Sequence, residues 1–178
     1  MVAVRAVTDT VDMVVPIVTA RLLLRPVGED DREAFVTLLG TPEVMAIRKL
    51  GVLDRQAANV VFDGMRMHWR DYGFGMYSVR GLESGAFLGE CGLRYLEDGV
   101  DVELSYGLVA DARGRGLATE AVRAVVEHGL HDLNLPRIVA FARADNTASR
   151  HILEKFGMTL VGEFAEPPHT VVKYRLES

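Results

Sequence analysis

Apolar positions alternate in short runs at both ends of the chain, and between them they recur at helical spacing. TARLLLRP (19–26) has the pattern of a strand, followed by an acidic helix start at Glu29–Asp31 and an apolar-spaced run through Phe35, Leu38 and Leu39. Gly40-Thr41-Pro42 ends that helix, and a second is predicted from Asp54 to about Tyr72, stopped by Gly73 and Gly75. GMYSVRG and AFLGECGLRYL (75–95) are strand-like runs joined by the turn-like Glu83-Ser84-Gly85. Asp98-Gly99 marks another turn before the strand VDVELSYGLV (100–109). A Gly/Arg loop then leads into a helix over 116–131, a strand at 137–143, a helix from about Thr147 to Phe156, and strands near 159–165 and 170–176. The order β-α-α-β-β-β-α-β-α-β-β combines an antiparallel meander with one β-α-β crossover. It predicts an α+β fold with a mixed, mostly antiparallel central sheet and flanking helices.

Length and composition narrow this picture. The 178 residues fit a single domain, 1–178, in which residues 1–16 are the one segment that reads as an N-terminal extension. A formal net charge of -5 argues against nucleic acid or an acidic membrane surface as the main partner, and makes the basic Arg113/Arg115 loop stand out. The lone Cys91 excludes an internal disulfide, and its alternation places it in the core as a small hydrophobe. MVVPIV (13–18) is too short to span a membrane, and the leader, carrying two aspartates, does not have the form of a signal peptide. A cytoplasmic protein without membrane or nucleic-acid partners, monomeric or homodimeric, is the expectation.

Chemistry concentrates in DARGRGLATEAVRAVVEHGL (111–130). The helix there has an apolar stripe of Ala118, Ala121, Val122 and Val125, with Glu120, Arg123, Glu127 and His131 opposite. Its first turn offers free backbone N–H groups and the positive end of a dipole, which together make an anion site. Gly114 and Gly116 let an anion approach the backbone, Arg113 and Arg115 add charge, and Thr119 adds a hydroxyl. Taken alone, such a loop has equal standing as a solvated helix entrance. A P-loop would require Lys and Ser/Thr that are missing here, and a dinucleotide fingerprint would require a small residue where Glu120 stands. The ligand that remains is a diphosphate held without metal.

These residues carry a resemblance. Arg113-x-x-Gly116-x-Ala118 resembles the R/Q-x-x-G-x-G/A signature of the GNAT superfamily of acyl-CoA-dependent N-acetyltransferases. TARLLLRP, WRDYGFGMYSVR with GAFLGECGLRY, VELSYGLV and NTASRHILEKFGM (146–158) resemble, in order, further motifs of the branch containing the ribosomal-protein N-terminal acetyltransferases. The similarity spans about residues 19 to 176. It implies a fold whose fourth and fifth strands splay apart and a reaction in which an amine attacks the thioester of acetyl-CoA directly. It also implies that Leu108 and Val109 pair with the pantetheine arm and that the backbone from Arg113 through Gly114, Arg115, Gly116, Leu117 and Ala118 to Thr119 holds the pyrophosphate. A backbone N–H near Leu108 would be the oxyanion donor. The acceptor is an amine, either a protein N-terminus or a small molecule such as an aminoglycoside or polyamine, or an amino acid. A non-catalytic acyl-CoA-binding module is the competing class.

Two residues are candidates for the proton transfers. On the strand at 100–109, Asp101, Glu103, Ser105 and Gly107 share one face and Val102, Leu104, Tyr106 and Leu108 the other, so Glu103 would stand in a wet cleft as base or on an exposed part of the sheet. It lies roughly 16 Å from Leu108 at about 3.3 Å per residue, which limits it to action through water or to an acetyl group nearer Tyr106. Many relatives carry a tyrosine acid seven residues after the position of Asn146; Leu153 stands there and cannot donate a proton. Ser149 takes a position that is serine in the ribosomal-protein branch, where it assists the leaving sulfur, and it also reads as a polar first-turn residue in a helix capped by Asn146 or Thr147. Asn146 doubles as cap and pantetheine contact. His128 and His131 lack a third ligand and favour the helix end, so no metal is expected. Trp69, Met65 and Tyr72 have the spacing of a helix inner face.

Overall fold

A computed structural model of the chain describes residues 16–178; most of the expected 1–16 extension therefore lies outside the described residues. In chain order the elements are β1 (Ile17–Val18), β2 (Leu22–Pro26), α1 (Arg32–Gly40), α2 (Pro42–Met45), α3 (Arg55–Tyr72), β3 (Met76–Gly81), β4 (Phe87–Tyr95), β5 (Val102–Leu108), α4 (Leu117–Glu127), β6 (Arg137–Arg143), α5 (Thr147–Lys155), β7 (Thr159–Glu166) and β8 (His169–Glu177). They form one sheet in the order β1-β2-β3-β4-β5-β6-β8-β7. Every neighbouring pair is antiparallel except β5 and β6, which run parallel.

The pairing of β5 with β6 determines the shape of the molecule. Their only register pair is Glu103 with Val139, whereas β5 is paired with β4 along its whole length from Val102 to Leu108. Beyond Glu103 the two strands diverge, so the expected splay is present in the middle of the sheet. A sheet opened there exposes backbone N–H and C=O groups that a buried strand would normally pair.

Helices cover both faces. The side chains of Leu93 and Leu104 face α4, whose following wide turn brings Gly129 against Leu93 and Ile138. α5 lies on the same side, where Ser149 meets Tyr106. The opposite face carries Ser78, Glu90, Ser105 and Gly107 and is covered by α1–α3. α3 is typical of how the sequence positions these covers: Asp54 caps it by accepting from the Ala57 amide at 2.8 Å, and Ala58, Phe62, Met65 and Trp69 bury one stripe. Gly73, at φ +73°, ends it in the left-handed conformation that glycine adopts without strain.

Several expectations are corrected. The helix over 116–131 is α from Leu117 to Glu127 and then widens to a π turn over His128–Asp132. Pro42 both ends α1 and starts the short α2, because proline's fixed φ suits a first helical position. Of the stripe Trp69, Met65 and Tyr72, Tyr72 is 55% exposed, so it lies off the inner face. Cys91 is fully buried, with its thiol pushed up by burial, as a core hydrophobe should be. Among the described residues no helix is long and apolar enough to cross a membrane, and no three His, Cys, Asp or Glu residues cluster as a metal site.

Candidate active site

The splay opens into a cleft of about 1160 Å³ that runs from the Gly/Arg loop, between β5 and β6, to the side covered by α2 and α3. At the loop end the chain leaves β5 through a 3-10 turn at Ala110–Ala112 and enters α4 from Gly116. Gly114 and Gly116 both sit in the left-handed region, at φ +70° and +74°, so the tight loop requires them. The first bond of α4 is from the Glu120 amide to the Gly116 carbonyl, so the amides of Leu117, Ala118 and Thr119 have no acceptor within the helix. A Cβ on Gly114 would meet nothing within 4 Å, which leaves its backbone open to a ligand.

The two arginines of the loop differ. Arg113 Nε donates to the Leu108 carbonyl at 3.1 Å and its Nη1 to the Glu43 carbonyl at 2.9 Å, and its own amide is bonded to Ala110. It therefore ties β5, the loop and α2 together instead of presenting a free charge. The Arg115 carbonyl accepts from Arg21 Nη1 at 2.9 Å, and Arg21 is in turn paired with Glu120, so the loop is braced from the β2 side.

The β5 backbone separates the two residues expected to pair with a ligand. The Val109 amide donates to the Leu88 carbonyl at 2.9 Å and so faces β4. Antiparallel alternation then turns the backbone groups of Leu104, Tyr106 and Leu108 toward the gap. Leu108 is left with its amide facing the cleft, its carbonyl being held by Arg113, while Val109 is turned to β4, because a strand cannot present consecutive residues to the same side.

Asn146 caps α5, its Oδ1 accepting from the Ser149 amide at 3.1 Å. Ser149 Oγ lies 2.7 Å from the Tyr106 hydroxyl, which spans from β5 across the cleft. Burial pushes the Tyr106 hydroxyl up to about 12, against the opposing effect of its bond to Ser149, so it stays protonated over the physiological range. Leu153, one turn further along α5, is buried and lines the same cleft as Ser149. Tyr106 escaped the sequence reading because alternation assigned it to the apolar face of β5; only the fold brings it to Ser149.

Opposite, the α2-side wall is made of charge pairs. Glu103 is 7% exposed and accepts from Arg94 Nε and Nη2 at 3.0 and 2.7 Å. Asp101, its neighbour in the alternation, is held by Lys173 and Arg137 outside the cleft, and these cations keep its carboxyl below the usual range. Arg48, from the segment after α2, reaches Glu90 Oε1 at 2.6 Å and Ser105 Oγ at 2.9 Å. Neither Arg48 nor Glu90 carried a sequence signal. His128, discounted as a ligand, has Nδ1 2.8 Å from Asp132.

The site fits coenzyme A on its own terms: a glycine cradle lined by amides that lack helical acceptors, and a strand edge open for an extended amide-bearing arm. Comparison with known proteins agrees. The acetyltransferase (GNAT) domain matches residues 21–159. The uncharacterized protein YkkB of Bacillus subtilis (strain 168) is 28% identical over 145 residues, covering 80% of this chain and 84% of that protein. The crystal structure of an acetyltransferase from Agrobacterium tumefaciens str. C58 superposes with a TM-score of 0.82 at 26% identity, covering 93% and 95% of the two chains. RimL, a ribosomal L7/L12 alpha-N-protein acetyltransferase solved in complex with coenzyme A, shares the fold with a TM-score of 0.74 at 19% identity over 90% of this chain and 96% of that one.

Proposed function

The chain belongs to the GNAT acetyltransferase family and is an acyltransferase whose cosubstrate is acetyl-CoA, and on that premise we propose that it acetylates the N-terminal amine of a protein or peptide. Acetyl-CoA supplies an activated acetyl thioester; the chain has to hold it, admit a neutral amine and return a proton to the sulfur. The Gly114–Thr119 backbone holds the pyrophosphate, and the Leu108 edge takes the pantetheine amides. Asn146 orients the first turn of α5 and with it Ser149. Ser149 Oγ gives its proton to the departing sulfur and is resupplied by the Tyr106 hydroxyl 2.7 Å away. That neutral relay takes the place of the tyrosine that Leu153 cannot be.

The observation that supports a peptide acceptor over a polyamine is the charge of the acceptor end. Glu90, Glu97, Asp98 and Glu103 line it, but so do Arg48, Lys49, Arg94 and Arg143, and exposed Ile47 and Leu50 flank it. A polycation would meet as much repulsion as attraction there, whereas a single ammonium on an otherwise neutral chain would find both a carboxylate and apolar contacts. RimL acts on a protein N-terminus with this fold. The test is thiol release from acetyl-CoA with serine- or alanine-initiated peptides beside spermidine. The peptides should give the higher kcat/KM by about tenfold or more, a difference of about 1.4 kcal/mol in transition-state binding. A preference for spermidine would overturn the peptide acceptor while leaving the family activity intact.

A further inference from the structure

Arg48 and Glu90 meet in a way that a simple structural ion pair does not explain. Glu90 lies on β4, is 1% exposed, and lines the acceptor end of the cleft. Its Oε1 is held by Arg48 Nη1 at 2.6 Å, but its Oε2 is buried with no hydrogen-bond partner among the described residues. An unsatisfied oxygen on a buried carboxylate bears the desolvation penalty of a charged group, and such orphans call for an explanation. Its environment narrows the explanation: across β5 the register partner of Glu90 is Gly107, and a Cβ there would lie 2.7 Å from Arg48 Nη1. The bare glycine makes the room that the guanidinium fills.

Arg48 also arrives on a segment that is pinned by β6 and by the Gly/Arg loop. Arg143 Nη1 holds the Ala46 carbonyl at 2.6 Å, Arg113 holds Glu43, and Lys49 lies 4.6 Å above the Phe141 ring. The anchors fix the backbone of the segment, so movement of Arg48 falls to its side chain, which among the described residues bonds to Glu90, Ser105 and the Met45 sulfur. Glu103 is the other buried carboxylate of the wall, but Arg94 grips it by two bonds to Oε2 from the neighbouring strand, so it is the less available of the two.

We propose that Glu90 is the seat of the acceptor's ammonium and that Arg48 is its internal stand-in, a cation that moves aside when the amine enters. This rests on the amine-acceptor reading above and replaces Glu103 with Glu90 as the residue that meets the substrate. The amine arrives as R-NH3⁺ and gives one proton to Glu90. The nitrogen then bonds to the acetyl carbon as the carbon–sulfur bond breaks and gives its second proton to water, while the sulfur takes one from Ser149, which Tyr106 refills and which water restores to Tyr106. The products are an amide, a thiol and one proton released from Glu90 to water.

The two partners of this pair therefore have opposite roles, which no structural ion pair would show. In Arg48→Met, Glu90 keeps its charge without a cation, so the melting temperature should fall and then recover by several degrees in methylammonium chloride but not in sodium chloride at equal ionic strength. The double variant with Glu90→Gln should show no such selective recovery. Equal response to both salts, or selective recovery in the double variant, overturns the proposal. Should Arg48→Met not fold, the guanidinium resonance of Arg48 in the unaltered protein decides: methylammonium should shift it saturably, and an unmoved resonance overturns the idea. In thiol-release assays with the peptide acceptor, Arg48→Met should lower KM for the amine, while Glu90→Gln should reduce kcat/KM by about a hundredfold with coenzyme A affinity unchanged. Parallel losses in both variants would reduce the pair to a structural one. If no peptide is turned over at all, the acceptor reading fails, and the melting and resonance experiments still decide Glu90.

Discussion

A hydroxyl at the end of a cleft acts on a leaving group only if it keeps its proton and points the right way, and Tyr106 and Ser149 divide those tasks. Burial holds Tyr106 near 12, so between pH 7 and 10 its titration should add no limb to the rate profile. Ser149→Ala should lower kcat by about a hundredfold to ten-thousandfold, the range of lost proton transfer, while coenzyme A affinity measured by calorimetry changes little. Tyr106→Phe should follow in the same direction with a smaller loss, because Ser149 keeps its position through the hydrogen bond that its amide donates to Asn146 Oδ1. A drop in affinity with unchanged kcat would make Ser149 a contact residue alone. Ser149 was singled out in the sequence through the resemblance of NTASRHILEKFGM, a local stretch. Tyr106, Arg48 and Glu90 were not, since each acquires its partner from an element 42 or more positions away. Glu103 shows the same limit from the other direction: alternation gives its face, but not Arg94, which turns that face from wet to ion-paired.

At the scale of elements, the loop before α4 is the part the sequence specified most fully. Two glycines with positive φ, a helix start and alternating apolar positions are all short-range signals, and they predict both the turn and its vacant amides. Gly116→Val should be hurt twice. It forces a β-branched residue to φ +74°, costing about 1–2 kcal/mol of stability, and it puts methyl groups beside amides that a pyrophosphate must reach. The melting temperature should fall by a few degrees while coenzyme A binding, followed by calorimetry, weakens by at least about tenfold; binding at full strength would take the loop out of the site. The short elements were the ones the sequence hid. β1 is two residues long and α2 four, too brief for any periodicity, yet α2 carries the segment that roofs the acceptor end. Strand order was hidden for a different reason. The placement of β8 between β6 and β7 depends on which edge the last hairpin meets, and both of its strands would suit either position.

For the molecule as a whole, opening a sheet at its centre removes a row of hydrogen bonds, so the flanking halves need their own bracing. On the β2–β4 half, Asp31 is fully buried and gathers Arg25, Arg80, Ser78 and the Gly28 amide; these bonds outweigh burial and hold its carboxyl below the usual range. Nearby, His68 joins α3 to both ends of the β3–β4 hairpin, with Nδ1 2.7 Å from the Phe74 carbonyl and Nε2 accepting the Tyr95 amide at 2.9 Å. That arrangement needs the neutral ring with its proton on Nδ1, and burial lowers the His68 pKa from 6.5, aided by Arg94. A pKa depressed in the folded state means that the unfolded chain takes up the proton first as pH falls. The stability from His68 is therefore complete above about pH 6.5 and is lost below it, whereas that from Asp31 and Asp101 persists until below their unfolded value of 3.8. Acid unfolding should come in two separate stages. Chemical denaturation followed from pH 8 to pH 5 should show a first decline on the order of 1 kcal/mol, the scale of one buried hydrogen bond. His68→Gln, whose amide can donate to one carbonyl and accept from one amide without titrating, should flatten that decline and leave the carboxylate stage in place. An unchanged slope would assign the first stage to another histidine, and the brace of the α3–hairpin corner would then not depend on His68.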